Sequence, residues 1–165
     1  MSLIYKYYMH ISSCGVNLIK KFEGCKLEAY LCPSGEYTIG YGNRYYKDGN
    51  NVQINDKITQ KEADDLLEYV LQGFERFINR QSSININQNQ FDALVCLCYN
   101  VGQGNLRKYS LLNIINKDCN NFAEIRPYWL GINKIYNKDK KKYIECDGLT
   151  RRRQEEFNLY TLPIG

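Results

Sequence analysis

The chain has 165 residues, 44% apolar and 24% charged. That is enough for one domain with an ordinary core, and it excludes wholesale disorder and collagen-like structure. Twenty-two Lys and Arg against eighteen Asp and Glu leave a net charge of +4, which suits an anionic polymer but falls short of a dedicated nucleic-acid binder. No segment approaches the roughly twenty apolar residues of a membrane span. Met1 to His10 lacks an apolar core, so no signal peptide is expected and export would depend on something outside this chain.

Ser12 or Ser13 can cap a first helix that carries Val16, Ile19 and Phe22 on one face and ends at Gly24. From Glu28 to about Val52 the texture turns Tyr-rich and Gly-punctuated. Glu28 to Leu31 and Glu36 to Tyr41 read as a hairpin around Pro33-Ser34-Gly35. A second turn at Asp48-Gly49-Asn50-Asn51 leads into a short third strand. Thr59-Gln60-Lys61-Glu62 is a capping box, opening a helix with apolar residues at 63, 66, 67, 70, 71, 74, 77 and 78. At about twenty residues it spans roughly 30 Å, enough to join two lobes.

Asn87 with Gln90 repeats the capping logic for a helix over Gln88 to Asn100. Further helical stretches fit Ser110 to Lys117, Phe122 to Leu130 and Leu149 to Leu159. Between the last two, Lys138 to Lys142 reads as a solvated loop, with anion binding the alternative. The fold class expected is α+β, a small antiparallel sheet lobe joined by a long helix to a helical lobe. Its parts are a first helix at 12–23, the sheet lobe at 24–58, the connecting helix at 59–80 and the helical lobe at 83–160, within one domain spanning 1–165.

Seven cysteines (14, 25, 32, 96, 98, 119 and 146) form an odd set, so at least one is unpaired within a monomer. Cys96 and Cys98 lie on an apolar helical run, and the one histidine, His10, is far off in sequence. No zinc spacing and no Cys-x-x-Cys motif is present, and most of the cysteines read as small buried hydrophobes in a reducing compartment.

Glu23 ends the first helix, where the negative end of the helix dipole favours a protonated carboxyl. A carboxylic acid held neutral is what general-acid cleavage of an acetal requires, although a lone Glu at a helix end is more ordinarily a surface residue. Eight residues separate Glu23 from Cys32, and five separate Cys32 from Thr38, within Tyr37-Thr38-Ile39-Gly40-Tyr41-Gly42. Strand alternation sets Thr38 and Gly40 on one face and Tyr37, Ile39 and Tyr41 on the other.

Here the sequence resembles the phage-type lysozymes (endolysins), inverting muramidases with a Glu, Asp-or-Cys, Thr set at this spacing. The likeness continues through Asn87 to Leu94, Tyr99-Asn100-Val101-Gly102 and Gly148-Leu149-Thr150-Arg151-Arg152-Arg153. The resemblance implies a lysozyme-like fold and hydrolysis of the β-1,4 bond between N-acetylmuramic acid and N-acetylglucosamine. It implies Glu23 as general acid, Cys32 at the position more often held by Asp, and Thr38 positioning the attacking water. Tyr99 and Ser110 align as substrate contacts, and one of Arg151 to Arg153 pairs with Glu23. The implied partner is bacterial peptidoglycan, with no nucleic acid, metal or cofactor and a monomeric state. The site of action is the bacterial wall, reached from the host cytoplasm or by export.

Two positions depart from the family pattern. A thiol titrates near 8.5 unless its surroundings lower that value, so Cys32 carries less charge than an Asp. Asn43 stands where the family commonly has His. The resemblance also extends to relatives in which a catalytic Cys is silenced by a disulfide: a Cys25–Cys32 bond would cap the thiol, and exchange to Cys14–Cys25 would release it. The competing readings are a non-catalytic wall-binding, tail or effector component that keeps the fold, and a lytic transglycosylase.

Overall fold

The first helix begins where the sequence offers a serine cap. In the computed structural model, which describes residues 8–83 and 85–164, α1 runs Ser13–Glu23. The Ser12 hydroxyl accepts from the Cys14 amide at 3.2 Å and donates to buried Asp92. The expectation about a signal peptide falls largely on residues 1–7, outside the described part. Gly24, at φ +66°, closes the helix in the left-handed conformation that glycine adopts without strain, its amide bonding back to the Lys20 carbonyl at 3.0 Å.

The chain divides into two units, Asn17–Gly73 and Met1–Val16 with Phe74–Gly165. In the first unit, β1 (Lys26–Leu31) pairs antiparallel with β2 (Tyr37–Gly40). The register is Lys26 opposite Gly40, Tyr30 opposite Thr38 and Leu31 opposite Tyr37, with an irregularity between Lys26 and Tyr30. There the middle of β1 bonds to another segment: the Ala29 amide donates to the Asp56 carbonyl and the Ile58 amide to that of Leu27, both at 2.9 Å. The core of this unit is Ile39, Val52 and Leu66, with Tyr37, Tyr46, Ile58 and Val70 packed on it.

The third strand expected after Asn51 does not form. Single bridges, Tyr45 to Asn51 and Glu28 to Lys57, stand in its place. The cause is a turn at Gln53 to Asp56: Asn55 takes φ +70°, and the Asp56 carboxylate accepts the Gln53 amide at 2.8 Å. That turn interrupts the ladder.

Helix α2 (Gln60–Gln81) opens on the expected box, with the Thr59 amide donating to Glu62 at 2.7 Å and the Glu62 amide to Thr59 Oγ1 at 3.2 Å. Its apolar stripe is buried at Ala63, Leu66, Leu67, Leu71, Phe77 and Ile78. In the second unit, α3 (Gln88–Val101) has the Asn87/Gln90 box and is buried continuously from Gln90 to Cys98. A helix buried on every side is the centre of its bundle.

The short α4 (Gln103–Lys108), which the sequence reading left unassigned, and α5 (Leu111–Lys117) follow. Then come α6 (Phe122–Leu130) and α7 (Asp147–Thr161). Trp129 and Tyr160, both fully buried, place their rings 5.0 Å apart between α6 and α7.

The lysine-rich segment is not a plain loop. Lys134–Asn137 (β3) and Lys142–Glu145 (β4) form a hairpin, with residues 138–141 as its turn. Ile135-Tyr136 and Tyr143-Ile144 carry the β-preference, which the surrounding charge hides in a composition-based reading. The architecture is α+β, with two small antiparallel sheets.

Candidate active site

Three of the five predicted site residues lie in the unit formed by Asn17–Gly73. Glu23 is the last residue of α1 and is partly buried. Three residues later the chain enters β1, whose first residue, Lys26, faces Gly40. At the other end of the same strand pair, Tyr30 faces Thr38, and Cys32 follows β1 directly. Strand register therefore ties all three positions to one hairpin and the helix end leading into it.

Thr38 is buried, and its hydroxyl reaches the Tyr30 carbonyl only at 3.5 Å. That is the weak limit of a hydrogen bond, which leaves the oxygen able to engage a water. Ile39, on the opposite face, is fully buried in the core, which fixes the strand's orientation. Gly40 takes φ +64°, and a Cβ there would meet Asn43 Oδ1 at 3.3 Å. Asn43 closes this tight turn, exchanging backbone bonds of 2.9 Å with Ile39 in both directions. The residue that departs from the family pattern thus shapes the bend after β2.

Cys32 sits in the turn between the strands. Its amide donates to the Glu36 carbonyl at 2.9 Å, and its carbonyl accepts the Gly35 amide at 2.8 Å. The sulfur lies 2.9 Å from the Ser34 hydroxyl. That hydrogen bond, followed by one from the Glu36 backbone, holds the thiol below its ordinary pKa, and the Arg44 guanidinium adds a smaller effect in the same direction. Arg44 is itself paired with Glu36. The turn thus restores part of the negative character lost when a thiol replaces a carboxylate.

The helix end is tied down from two sides. Lys20 of α1 pairs with Asp64 of α2 at 2.7 Å and lies over the Tyr41 ring, 5.4 Å from its centroid. The Tyr41 hydroxyl donates to the same Asp64 at 2.8 Å. Hydrogen bonds from Lys20 and then Tyr41 hold the Asp64 carboxyl below its ordinary range. A cavity of about 400 Å³ in this unit is lined by Tyr46, Asp48, Ile58, Glu62 and Leu66 and includes none of the three site residues. A smaller one, about 210 Å³, is lined by Gly35, Glu36, Tyr37 and Arg44, in and beside the Cys32 turn.

Tyr99 and Ser110 belong to the other unit. Tyr99 packs its ring 5.3 Å from that of Phe74. Ser110 is exposed and precedes α5. Of the three consecutive arginines, Arg151 is exposed, whereas Arg152 and Arg153 are buried. Both donate to Glu156 Oε1, at 3.0 and 2.8 Å, and Arg153 also donates to Asn100 at 2.8 Å. Burial pushes the Glu156 carboxyl up, and the two guanidiniums oppose that shift.

All seven cysteines are free thiols, so neither the Cys25–Cys32 nor the Cys14–Cys25 bond is present. Cys96, Cys98 and Cys119 are buried as small hydrophobes, but Cys14 is exposed and Cys25, Cys32 and Cys146 are half-buried, so the expectation that most of the cysteines are buried is corrected to three of the seven.

Compared with known proteins, residues 20–156 match the family model described as phage lysozyme. The chain belongs to the phage lysozyme family. It is 40% identical over 155 residues to an endolysin of Bacillus phage PZA, covering 92% of this chain and 55% of that one. It therefore spans about half the length of that curated relative. Among solved structures, an endolysin from Escherichia coli O157:H7 phage FAHEc1 matches with TM-score 0.86 and 32% identity, over 94% of this chain and 96% of the other. The muramidase domain of SpmX from Asticaccaulis excentricus matches with TM-score 0.82 and 29% identity, over 93% and 99%.

Within the phage lysozyme frame, sequence reasoning missed two contributors. Ser34 carries no motif of its own and acts by a turn contact. Glu156 follows the arginines at i+3 and i+4, a spacing that was available as a signal for a shared partner.

Proposed function

We propose that the chain is a peptidoglycan hydrolase, a muramidase that cleaves the β-1,4 bond between N-acetylmuramic acid and N-acetylglucosamine with inversion. What carries this reading is the register of the β1–β2 hairpin, which ties Cys32 and Thr38 to the end of α1 that holds Glu23. Family membership and likeness to a muramidase domain support it.

In this reading Glu23 donates its proton to the glycosidic oxygen as the bond to the anomeric carbon breaks. A water on the opposite face of the ring attacks that carbon, oriented by the Thr38 hydroxyl. Cys32, whose thiol Ser34 and the Glu36 backbone hold below its ordinary pKa, stands beside the oxocarbenium-like transition state, and its thiolate form accepts the proton that the water releases. Proton exchange with solvent then returns both groups to their starting forms. Tyr99 and Ser110 contact sugar residues.

The test is digestion of purified peptidoglycan by wild type and Glu23→Gln, read by reducing-end release and product mass. The wild type is expected to give products that have gained one water, and Glu23→Gln to lose about 10²–10⁴-fold in rate, the range for a positioned general acid. Products lighter by one water mean a transglycosylase. Wall binding by both proteins with no product from either means a non-catalytic wall binder.

A further inference from the structure

The β3–β4 hairpin is a surface that the proposed chemistry does not use. Its register sets Tyr136 directly opposite Tyr143, on the same face as Lys134 and Glu145, with Ile135 and Ile144 on the other face. The two tyrosines are 53% and 69% exposed, and their rings meet edge-on at 5.4 Å. Such a pair in solvent gains little from folding, since a lone two-stranded hairpin is marginal in water, and an exposed aromatic patch of this kind marks an interaction site.

Charge is concentrated in the same place. Residues 134–145 hold five lysines, 134, 138, 140, 141 and 142, against Asp139 and Glu145. That leaves +3 on twelve residues, where the whole chain carries +4. All five are exposed, and among the described residues none forms a side-chain ion pair. Elsewhere Lys20, Lys57 and Lys61 are each neutralised by a carboxylate within 2.7 Å. An uncompensated cationic turn beside two open aromatic rings fits a polymer that alternates apolar C–H faces with fixed negative charge.

We infer that the β3–β4 hairpin is a docking element for the anionic, phosphodiester-linked glycopolymer of bacterial walls, with Tyr136 and Tyr143 stacking on its sugar or polyol units and the turn lysines meeting its phosphates. The choice of a wall polymer over a nucleic acid rests on the proposed function, which brings the chain to the wall, and on the small net charge outside the hairpin. The element works by raising residence on the wall and takes no part in bond cleavage.

The experiment separates binding from turnover. Co-sedimentation uses walls before and after removal of the phosphodiester polymer with hydrofluoric acid, at 50 and 500 mM salt. The proteins are wild type, a quadruple Lys138→Gln, Lys140→Gln, Lys141→Gln, Lys142→Gln variant, and Tyr136→Ala with Tyr143→Ala. Binding of the purified polymer is measured alongside. Wild type is expected to prefer unstripped walls and to lose on the order of 10³–10⁴-fold in affinity across that salt range, if each of the four turn lysines neutralises one phosphate. The quadruple variant is expected to lose the preference and most of the salt dependence while digesting stripped walls at the wild-type rate. A matching quadruple Lys→Arg variant keeps the charge and is expected to bind as wild type, which separates charge from misfolding.

Equal retention on stripped and unstripped walls, or unchanged binding by the Gln variant, overturns the inference. So does tighter binding to single-stranded DNA or anionic vesicles than to the polymer. Failure of the hydrolase reading appears separately, as absence of products from stripped walls.

Discussion

At the residue scale, the Cys32 turn determines how much charge a thiol can offer in place of a carboxylate. Ser34 lies 2.9 Å from the sulfur and is the largest influence lowering its pKa. Ser34→Ala removes that donor, so the thiol rises toward its ordinary range near 8.5 and the thiolate fraction at neutral pH falls. Alkylation of Cys32 by iodoacetamide, followed against pH by mass spectrometry, is expected to shift its midpoint upward. If Cys32 acts as a thiolate, the acid limb of the activity profile moves up with it. An unchanged midpoint would show that Ser34 does not tune the thiol. The spacing of Glu23, Cys32 and Thr38 was legible in the sequence because register follows from short, countable segments. The Ser34 contact was not, since it depends on how one side chain turns within a five-residue loop.

At the element scale, α7 carries a buried polar cluster. Arg152, Arg153 and Glu156 are all buried, and the one carboxylate serves two guanidiniums. Removing it takes away the carboxylate that both buried guanidiniums share, and breaking a buried ion pair costs about 3–5 kcal/mol in comparable sites. Glu156→Ala is therefore expected to lower the melting temperature by roughly 10 °C, measurable by circular dichroism. A shift of only a degree or two would mean that the arginines find other partners or that water reaches them. The helices were legible from their caps and stripes, as Thr59 with Glu62 and Asn87 with Gln90 illustrate. The third strand failed because Asn55 and Asp56 make a turn where a strand was expected, and β3–β4 went unseen because four-residue strands among lysines give little alternation to count.

At the scale of the whole molecule, covalent cross-links contribute nothing to this fold. Cys14, Cys25, Cys32 and Cys146 are at least partly accessible, whereas Cys96, Cys98 and Cys119 are buried. A thiol reagent is expected to find about four fast groups in the folded chain and all seven after unfolding. Reductant should leave the melting temperature unchanged. Fewer than seven thiols in the unfolded, unreduced protein would reveal a disulfide and reopen a redox role for the cysteines near the hairpin. The overall α+β class was readable from composition, caps and periodicity. The lysine run at 138–142 was readable too, but its place as the turn of a hairpin that sets Tyr136 opposite Tyr143 was not.

The change of partner in the middle of β1 has a consequence for what this hairpin can tolerate. Its ends are bonded to β2, and its centre, at Leu27 and Ala29, to the segment at Asp56 to Ile58. A slip of one residue against either neighbour breaks the match with the other, and by the two-residue period of a strand it would also turn Ile39 out of the core. This register holds the turn from Cys32 to Glu36 at five residues, a constraint separate from the parts that Cys32 and Ser34 play in the site. Insertions anywhere in this turn should be selected against, and a library built on it should keep Cys32, Ser34 and the left-handed Gly35 and vary Pro33 and Glu36 at constant length.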